Sequence, residues 1–357
     1  MIRWRSGVVS SVDRSWHGAV SLSVSVEGGA SMPALAYPLL VGTPVVGDRV
    51  LLNVGAQLMG LGTGGYALVV ALPDRLPADP PDDATTRDAG HMVKARYTPL
   101  QAIVQGVDEP SSPHANALSE ASDIGGMPVV TADLHSALPA ILAGILCDAP
   151  AARVAYVMTD GGALPAWFSR TLDGLRETLA GTVTVGQAFG GDLEATTVHS
   201  GLLAARHVLG ADVTVVAQGP GNLGTGTTWG FSGVAVGEAV NAIAVLGGRP
   251  VGSLRISAAD PRPRHHGVSH HSLTAYGRVA LAPADLVVPA GVESLIGDAL
   301  SPLASRHRIV TVAVDGLEEA LLASPVRLST MGRGLPEDRE YFLAAAAAGR
   351  HAASLLA

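Results

Sequence analysis

The sequence predicts an α/β protein, in which a small all-β barrel precedes a largely parallel, doubly wound sheet. Two observations support this. Residues 1–76 hold short apolar runs separated by Gly and Pro turns, which is typical of a small barrel. Beyond residue 91, short β-branched runs alternate with apolar segments of helical length. Such alternation indicates parallel strands covered by helices on both faces. A chain of 357 residues is long enough for two domains.

The predicted order is a barrel of the SH3 or OB type at 1–76, a linker at 77–90, an α/β domain at 91–335 and a C-terminal helix at 336–357. Strict alternation of apolar and polar residues over 20–26 indicates a barrel strand with one buried face. Pro, Asp and Thr dominate the linker. The last segment is rich in Ala, a strong helix former.

The α/β domain is predicted from buried strand runs and the longer segments between them. The predicted strands are 102–107, 128–132, 153–159, 182–185, 213–217, 251–256, 286–289 and 309–312. The predicted helices are 134–146, 164–179, 197–209, 229–246, 273–281, 294–305 and 317–322.

Composition narrows the classes of function. Hydrophobic residues make up 48% of the chain, yet no apolar run reaches the roughly 20 residues of a membrane helix. No N-terminal signal is visible, so we expect a cytoplasmic protein with no membrane partner. A net charge of −8 argues against nucleic-acid binding. Cys147 is the single cysteine, which excludes an intramolecular disulfide. The barrel is interpreted as a packing module, and the protein as a homo-oligomer.

A glycine-rich loop follows the predicted strand 213–217. Gly219, Gly221 and Gly224 fit the spacing G-x-G-x-x-G, and a predicted helix follows. Such a loop leaves backbone N–H groups free at a helix N-terminus, where phosphate or carboxylate binds well. The predicted ligand-binding residues of the loop are Gly219, Gly221, Asn222, Gly224, Thr225 and Gly226. The alternative is a tight turn with no ligand.

Two familiar phosphate-binding motifs fit this loop poorly. The strand after it, 251–256, ends in Ser257, where a dinucleotide-binding unit carries an acidic residue for the ribose. No Lys follows the loop, which excludes a Walker A motif.

Polar residues follow five of the predicted strands. If those strands are parallel, their carboxyl ends meet at one edge of the sheet, where ligands bind in such folds. The residues interpreted as catalytic at this edge are Asp133, His135, Asp160, Glu194, His270 and His271.

The run from Arg262 to His271 holds four His and two Arg in ten residues. Arg262 and Arg264 are interpreted as anion clamps, and His270 or His271 as a general base. Imidazole and carboxylate groups also suit a divalent metal, although no known metal motif is matched. The candidate metal ligands are Asp133, Glu194, His199, His265 and His266. The alternative is a solvated polar loop.

Several stretches are similar to an uncharacterised bacterial family known as a domain of unknown function, DUF3866. They are VLLN at 50–53, GLGTGGY at 60–66, GHMVKARYTPLQ at 90–101, DLHSALP at 133–139, MTDGGALP at 158–165, GQAFGGDLE at 186–194, QGPGNLGTG at 218–226 and SHHSLT at 269–274. The resemblance implies a two-part protein of the bacterial cytoplasm. It implies no activity, so it assigns no catalytic residue.

The residues therefore favour an enzyme of hydrolysis or group transfer, acting on an anionic small molecule of a phosphorylated or nucleotide-like kind, with a divalent metal as a candidate cofactor. A non-catalytic ligand-binding or assembly protein is the alternative. A nicotinamide-dependent oxidoreductase is the weaker alternative, because the acidic ribose ligand is missing.

Overall fold

The computed structural model describes residues 2–78 and 90–356. By its contacts the chain divides into two compact units, Met1–Val104 and Gln105–Ala357. Most of the linker predicted at 77–90 lies outside the described residues. None of the helices in the described part of the chain has the length and hydropathy of a membrane-spanning segment.

The first unit contains the predicted barrel. Its strands close in the order β1-β2-β3-β5-β4, with β1 also paired to β4. Leu22 and Val24 lie on the inward face of the second strand and are fully buried, as the alternating pattern predicts. The elements are β1 (Trp4–Trp16), β2 (Ala19–Val26), β3 (Ser31–Ala36), α1 (Pro38–Val41), β4 (Arg49–Asn53), α2 (Gly55–Leu58) and β5 (Ala67–Ala71).

A separate hairpin changes the predicted domain boundary. Strands β6 (Met92–Lys94) and β7 (Ala102–Val104) pair with each other in antiparallel fashion. Of the segment predicted as a strand at 102–107, Ala102–Val104 therefore pairs in this hairpin, and only Gly106 forms a parallel bridge to Glu194 at the edge of the large sheet. The two strands belong to the first unit, so the boundary lies after Val104 rather than at residue 91.

The second unit is built on an eight-stranded sheet in which every neighbouring pair is parallel. This confirms the predicted fold class. A two-stranded antiparallel ribbon lies outside the sheet. The strands are β8 (Pro128–Ala132), β9 (Val154–Thr159), β10 (Gly181–Thr184), β11 (Leu193–Glu194), β12 (Val213–Gln218), β13 (Arg249–Ser253), the ribbon β14 (Ile256–Ser257) with β15 (Gly267–Val268), β16 (Asp285–Pro289) and β17 (Arg308–Val312).

The helices connect and cover these strands. They are α3 (Ala115–Leu118), α4 (Leu138–Asp148), α5 (Arg170–Leu175), α6 (Val198–His207), α7 (Ala235–Val245), α8 (His270–Thr274), α9 (Glu293–Ile296), α10 (Leu317–Leu322) and α11 (Arg339–Ser354). Several predicted helices are shorter than expected, and the one predicted at 164–179 is reduced to Arg170–Leu175. The one predicted from residue 229 begins with a 3₁₀ turn at Ser232–Val234. The one predicted at 294–305 breaks at Gly297, whose φ of +48° ends α9.

The strand order creates a crevice at the carboxyl end of the sheet. The order is β11-β10-β9-β12-β8-β13-β16-β17, so β8 and β12 are neighbours. After β8 the chain enters α4, which packs in one apolar cluster with Val130. After β12 it enters α7, which packs in the cluster of Val129 on the opposite face. Because the two connections leave in opposite directions, a ligand crevice opens between them.

Helix α11 is a central element of this unit. It packs against α4 through small residues: a Cβ on Gly144 would lie 1.9 Å from the carbonyl oxygen of Ala346, and one on Gly349 would lie 2.0 Å from that of Ile141. The C-terminal helix predicted at 336–357 is thus present and buried.

Candidate functional site

A cavity of about 430 Å³ occupies the crevice. Its walls come from the loops after β8 and β12, from the start of α5, from the chain around the ribbon and from a turn before α11. Its lining includes His135, Ser169, Arg170, Gly219, Gly221, Asn222, Gly224, Gly226, Arg255, Arg262, Arg264, His265, His271, Thr330 and Met331. The volume suits a small molecule.

Positive charge dominates the cavity. Arg170, Arg255, Arg262 and Arg264 line it, and none of the described lining residues is acidic. Arg170 and Arg264 are exposed, and no carboxylate of the described chain pairs with either. Their charges therefore stay available to a ligand.

The other two arginines are held in place by Asp260, which is fully buried. Its Oδ2 lies 3.1 Å from Nη2 of Arg255 and 2.7 Å from Nη2 of Arg262. Oδ1 accepts a further bond from Nε of Arg262 at 2.8 Å. Hydrogen bonding from Arg262 outweighs burial and holds the pKa of Asp260 far below its ordinary value. The shared carboxylate thus fixes two guanidinium groups at the cavity wall.

His271 and Asp133 form a hydrogen-bonded pair at the same wall. Nδ1 of His271 lies 3.3 Å from Oδ2 of Asp133. Burial alone would raise the pKa of Asp133, but the bond from His271 and the charge of Arg255 hold that pKa below its usual value. The ring of His271 also stacks on Phe231, with centroids 3.8 Å apart. The carboxylate and the aromatic ring together fix the imidazole.

Two more histidines pack beside His271. The Nδ1 atom of His265 lies 2.8 Å from Oγ of Ser269. Burial, with the charge of Arg255, lowers the pKa of His265 to about 3. Burial also lowers the pKa of His270, which faces a neighbouring cavity of about 350 Å³ rather than the arginine-lined one. Both rings are therefore neutral at pH 7.

His135 lines the cavity, yet both its nitrogens are bonded within the protein. Nδ1 lies 3.0 Å from the Tyr156 hydroxyl and Nε2 lies 2.7 Å from Oγ of Ser169. The tyrosine hydroxyl itself donates to the Gln218 carbonyl, so Nδ1 carries the proton and Nε2 accepts. Burial lowers the pKa of His135 to about 4. This neutral bridge suits a positioning role better than the catalytic role expected from the sequence.

The glycine loop lines the cavity through Gly219, Gly221, Asn222, Gly224 and Gly226. Thr225 does not; its hydroxyl lies 3.1 Å from that of Thr227, inside the loop. The expected free helix N-terminus is absent, because Oδ1 of Asn222 accepts bonds from Oγ of Ser232 at 2.9 Å and from N of Gly233 at 3.2 Å. An amide oxygen of the chain takes the place predicted for an anion.

Asp160 has a structural contact instead of the predicted place in the site. Its carboxylate accepts the backbone N–H of Gln187 at 2.8 Å, and it does not line the cavity. The glycines after it allow close packing of two loops: a Cβ on Gly162 would lie 2.0 Å from the carbonyl oxygen of Gly219.

Three further predicted residues lie away from the cavity. Glu194 is on β11, four strands from β8, which places it roughly 19 Å from Asp133 at the usual strand spacing. Its carboxylate accepts bonds from Thr184 and Gly190. His199 and His266 are exposed, and neither lines the cavity. None of these three candidate metal ligands therefore lies at the cavity.

Sequence reasoning missed Arg170, Arg255 and Met331. The predicted strand 251–256 includes Arg255, but β13 ends at Ser253 and Arg255 follows it, 4% exposed. A charged residue inside an otherwise buried run was the available signal, because buried arginines are almost always paired. Met331 has a φ of +48° in the turn at the cavity mouth. Nothing in its local sequence marks that contact.

The fold and this cavity define the class: a parallel α/β unit with a basic crevice at its carboxyl edge. The model of the family described as "Protein of unknown function (DUF3866)" matches residues 33–349, and the chain belongs to this family. Neither a curated protein nor a solved structure matches the chain.

Proposed function

We propose that the protein is an enzyme of hydrolysis or group transfer that acts on a phosphate-bearing small molecule in the arginine-lined cavity. One observation carries the proposal: four arginines and no described acidic residue line a crevice of small-molecule size. Two of these guanidinium groups have no carboxylate partner in the described chain. Guanidinium groups bind phosphate oxygens in bidentate fashion, and a partly enclosed wall strengthens such contacts.

The histidines support chemistry rather than binding alone. His265 and His271 share the cavity wall with Arg255, and each ring is held by a polar partner through Nδ1. Imidazoles held in one orientation beside an anion site are suited to act on a bound anion, either by proton transfer or by holding a metal ion. In hydrolysis the bound phosphate group would pass to water, and in group transfer it would pass to the hydroxyl of a second substrate, with the remainder of the ligand as the leaving group.

The experiment is a calorimetric titration of the protein with inorganic phosphate, pyrophosphate and nucleoside phosphates. Arg264→Ala removes an exposed guanidinium that no described carboxylate holds, so the fold is retained. We expect at least a ten-fold loss of affinity, about 1.4 kcal/mol. The matched control is Arg327→Ala, another exposed arginine, which does not line the cavity. Equal binding by both variants would contradict the proposal.

Once a ligand is found in this way, a measurement of its turnover distinguishes an enzyme from a binding protein. In an enzyme, His271→Ala abolishes turnover of the bound ligand. In a non-catalytic binding protein, no turnover is measured with either chain, and the affinity is the only activity to follow.

A further inference from the structure

Three imidazole rings lie together where the arginine-lined cavity, which His265 and His271 line, adjoins the neighbouring cavity that His270 faces. One ligand nitrogen from each of His265, His270 and His271 lies within 4.8 Å of the other two. The ring centroids are 4.5 Å apart for His270 and His271, and 4.8 Å apart for His265 and His271. The three side chains come from one loop and the first turn of α8.

The hydrogen bonds decide which nitrogens are available. Nδ1 of His265 is bonded to Ser269, and Nδ1 of His271 to Asp133. Nε2 of each ring is the remaining ligand atom. Metal-binding histidines have the same pattern: one nitrogen binds the ion while the other is held by a carboxylate or another polar group, which fixes the ring.

His270 gives a second reason, separate from the clustering of the rings, to expect a bound ligand. Its Nε2 atom is buried and has no hydrogen-bond partner among the described residues. A buried polar atom without a partner is unfavourable, so such atoms in folded proteins call for an explanation. A bound cation would accept the lone pair of this nitrogen.

We propose that His265, His270 and His271 bind one zinc ion, with Asp133 and Ser269 holding two of the rings. Three imidazole ligands suit zinc, and a three-ligand site leaves a fourth position open. Zn–N bonds of 2.0–2.1 Å in a tetrahedral site place the nitrogens roughly 3.3 Å apart, so the rings must approach each other on binding. His265 and His271 line the arginine-lined cavity, so a bound ion would lie beside the proposed anion site.

The zinc site shares His265 and His271 with the proposed ligand cavity, but it is tested separately, because its probe is a metal ion and the probe of the cavity is phosphate. In an enzyme, the open position would supply a metal-bound water or a contact to the anion. The three histidines then act as ligands, and none of them is the base.

The test is a titration of chelator-treated protein with Zn²⁺, repeated with Co²⁺ as a visible-absorption probe of tetrahedral coordination. We expect one ion per chain. His270→Ala should weaken binding more than a hundred-fold, and Asp133→Asn, which keeps all three ligands, ten- to a hundred-fold. His266→Ala is the matched control, because His266 is exposed in the same loop, and it should bind like the unaltered chain.

Less than one ion per chain in the unaltered protein would overturn the proposal, whether or not the variants fold. Equal binding by His270→Ala and His266→Ala would also overturn it. The two proposals fail separately, because phosphate binding is measured on metal-free protein and zinc binding is measured on the unaltered chain without phosphate.

Discussion

His271 and Asp133 meet through a 3.3 Å contact between Nδ1 and Oδ2, although 138 residues separate them in the chain. Asp133 follows β8 and His271 lies at the start of α8. The contact joins the crevice between β8 and β12 to residues 254–271, the segment that includes the ribbon and carries Arg255, Arg262 and Arg264. The same carboxylate lies 3.9 Å from Nη1 of the buried Arg255.

Asp133→Asn should destabilise the fold. The substitution keeps the shape but removes the negative charge that faces both His271 and Arg255. Loss of one partner from a buried charged pair costs about 3–5 kcal/mol, and we expect the lower end because Asp260 still pairs with Arg255. Urea unfolding at pH 7 measures the change. Asp298→Asn, at an exposed position, should stay within about 0.5 kcal/mol; a similar loss in both variants would refute the role of the pair.

His135 should make stability depend on pH. Its pKa falls from 6.5 to about 4 in the folded chain, so the unfolded chain binds a proton that the folded chain does not. The free energy of unfolding is therefore highest above pH 6.5, where His135 is neutral in both states, and it decreases as the pH falls towards 4. Between pH 7.5 and 4.5 this amounts to about 2–3 kcal/mol for one buried histidine.

The pH effect of His135 is isolated with His135→Gln. We expect this variant to be less stable at pH 7.5 but to lose about 2–3 kcal/mol less than the parent chain between pH 7.5 and 4.5. His199→Gln, at an exposed histidine, is the control and should follow the parent. Parallel pH curves for the parent chain and His135→Gln would show that His135 does not cause the loss.

Gly162→Ala should disrupt the packing of the two loops at the cavity. The new Cβ would lie 2.0 Å from a backbone oxygen of Gly219, which cannot move as a side-chain end can. Overpacking of this kind costs about 1–3 kcal/mol or more. Gly224→Ala is the control, because its nearest neighbour would be 3.9 Å away. Thermal unfolding compares them, and equal melting temperatures would contradict the close approach.

Gly144→Ala tests the contact between α4 and α11. In an isolated helix this change stabilises by about 1 kcal/mol, because Ala is the better helix former. Here the Cβ would lie 1.9 Å from a backbone oxygen of Ala346, so we expect a net loss of about 2 kcal/mol. Cys147→Ala, one turn further along α4 and exposed, is the control. The sign of the change in unfolding free energy decides the result.

Local pattern predicted much of the fold. The buried run Pro128–Ala132 is a strand with those same bounds, and the alternation over 20–26 marks a barrel strand. Parallel strands place their following loops at one edge, which is why Asp133, Asn222 and His271 could be expected near each other.

Strand order was the missing information. Whether Glu194 lies next to β8 or four strands away depends on long-range pairing that no local pattern records. Burial was the second gap: His265 and His266 are neighbours in the sequence, yet one lies in the histidine cluster and the other in solvent. Only the packed chain distinguishes them.

The contact between α4 and α11 also bears on synthesis of the protein in the cell. Roughly 190 residues separate the two helices in the chain. At 5–20 residues per second, α4 waits about 10–40 s for the helix that covers it. During that interval its apolar side is open to chaperones and to neighbouring nascent chains, so slower growth at low temperature with extra chaperone should raise the soluble yield.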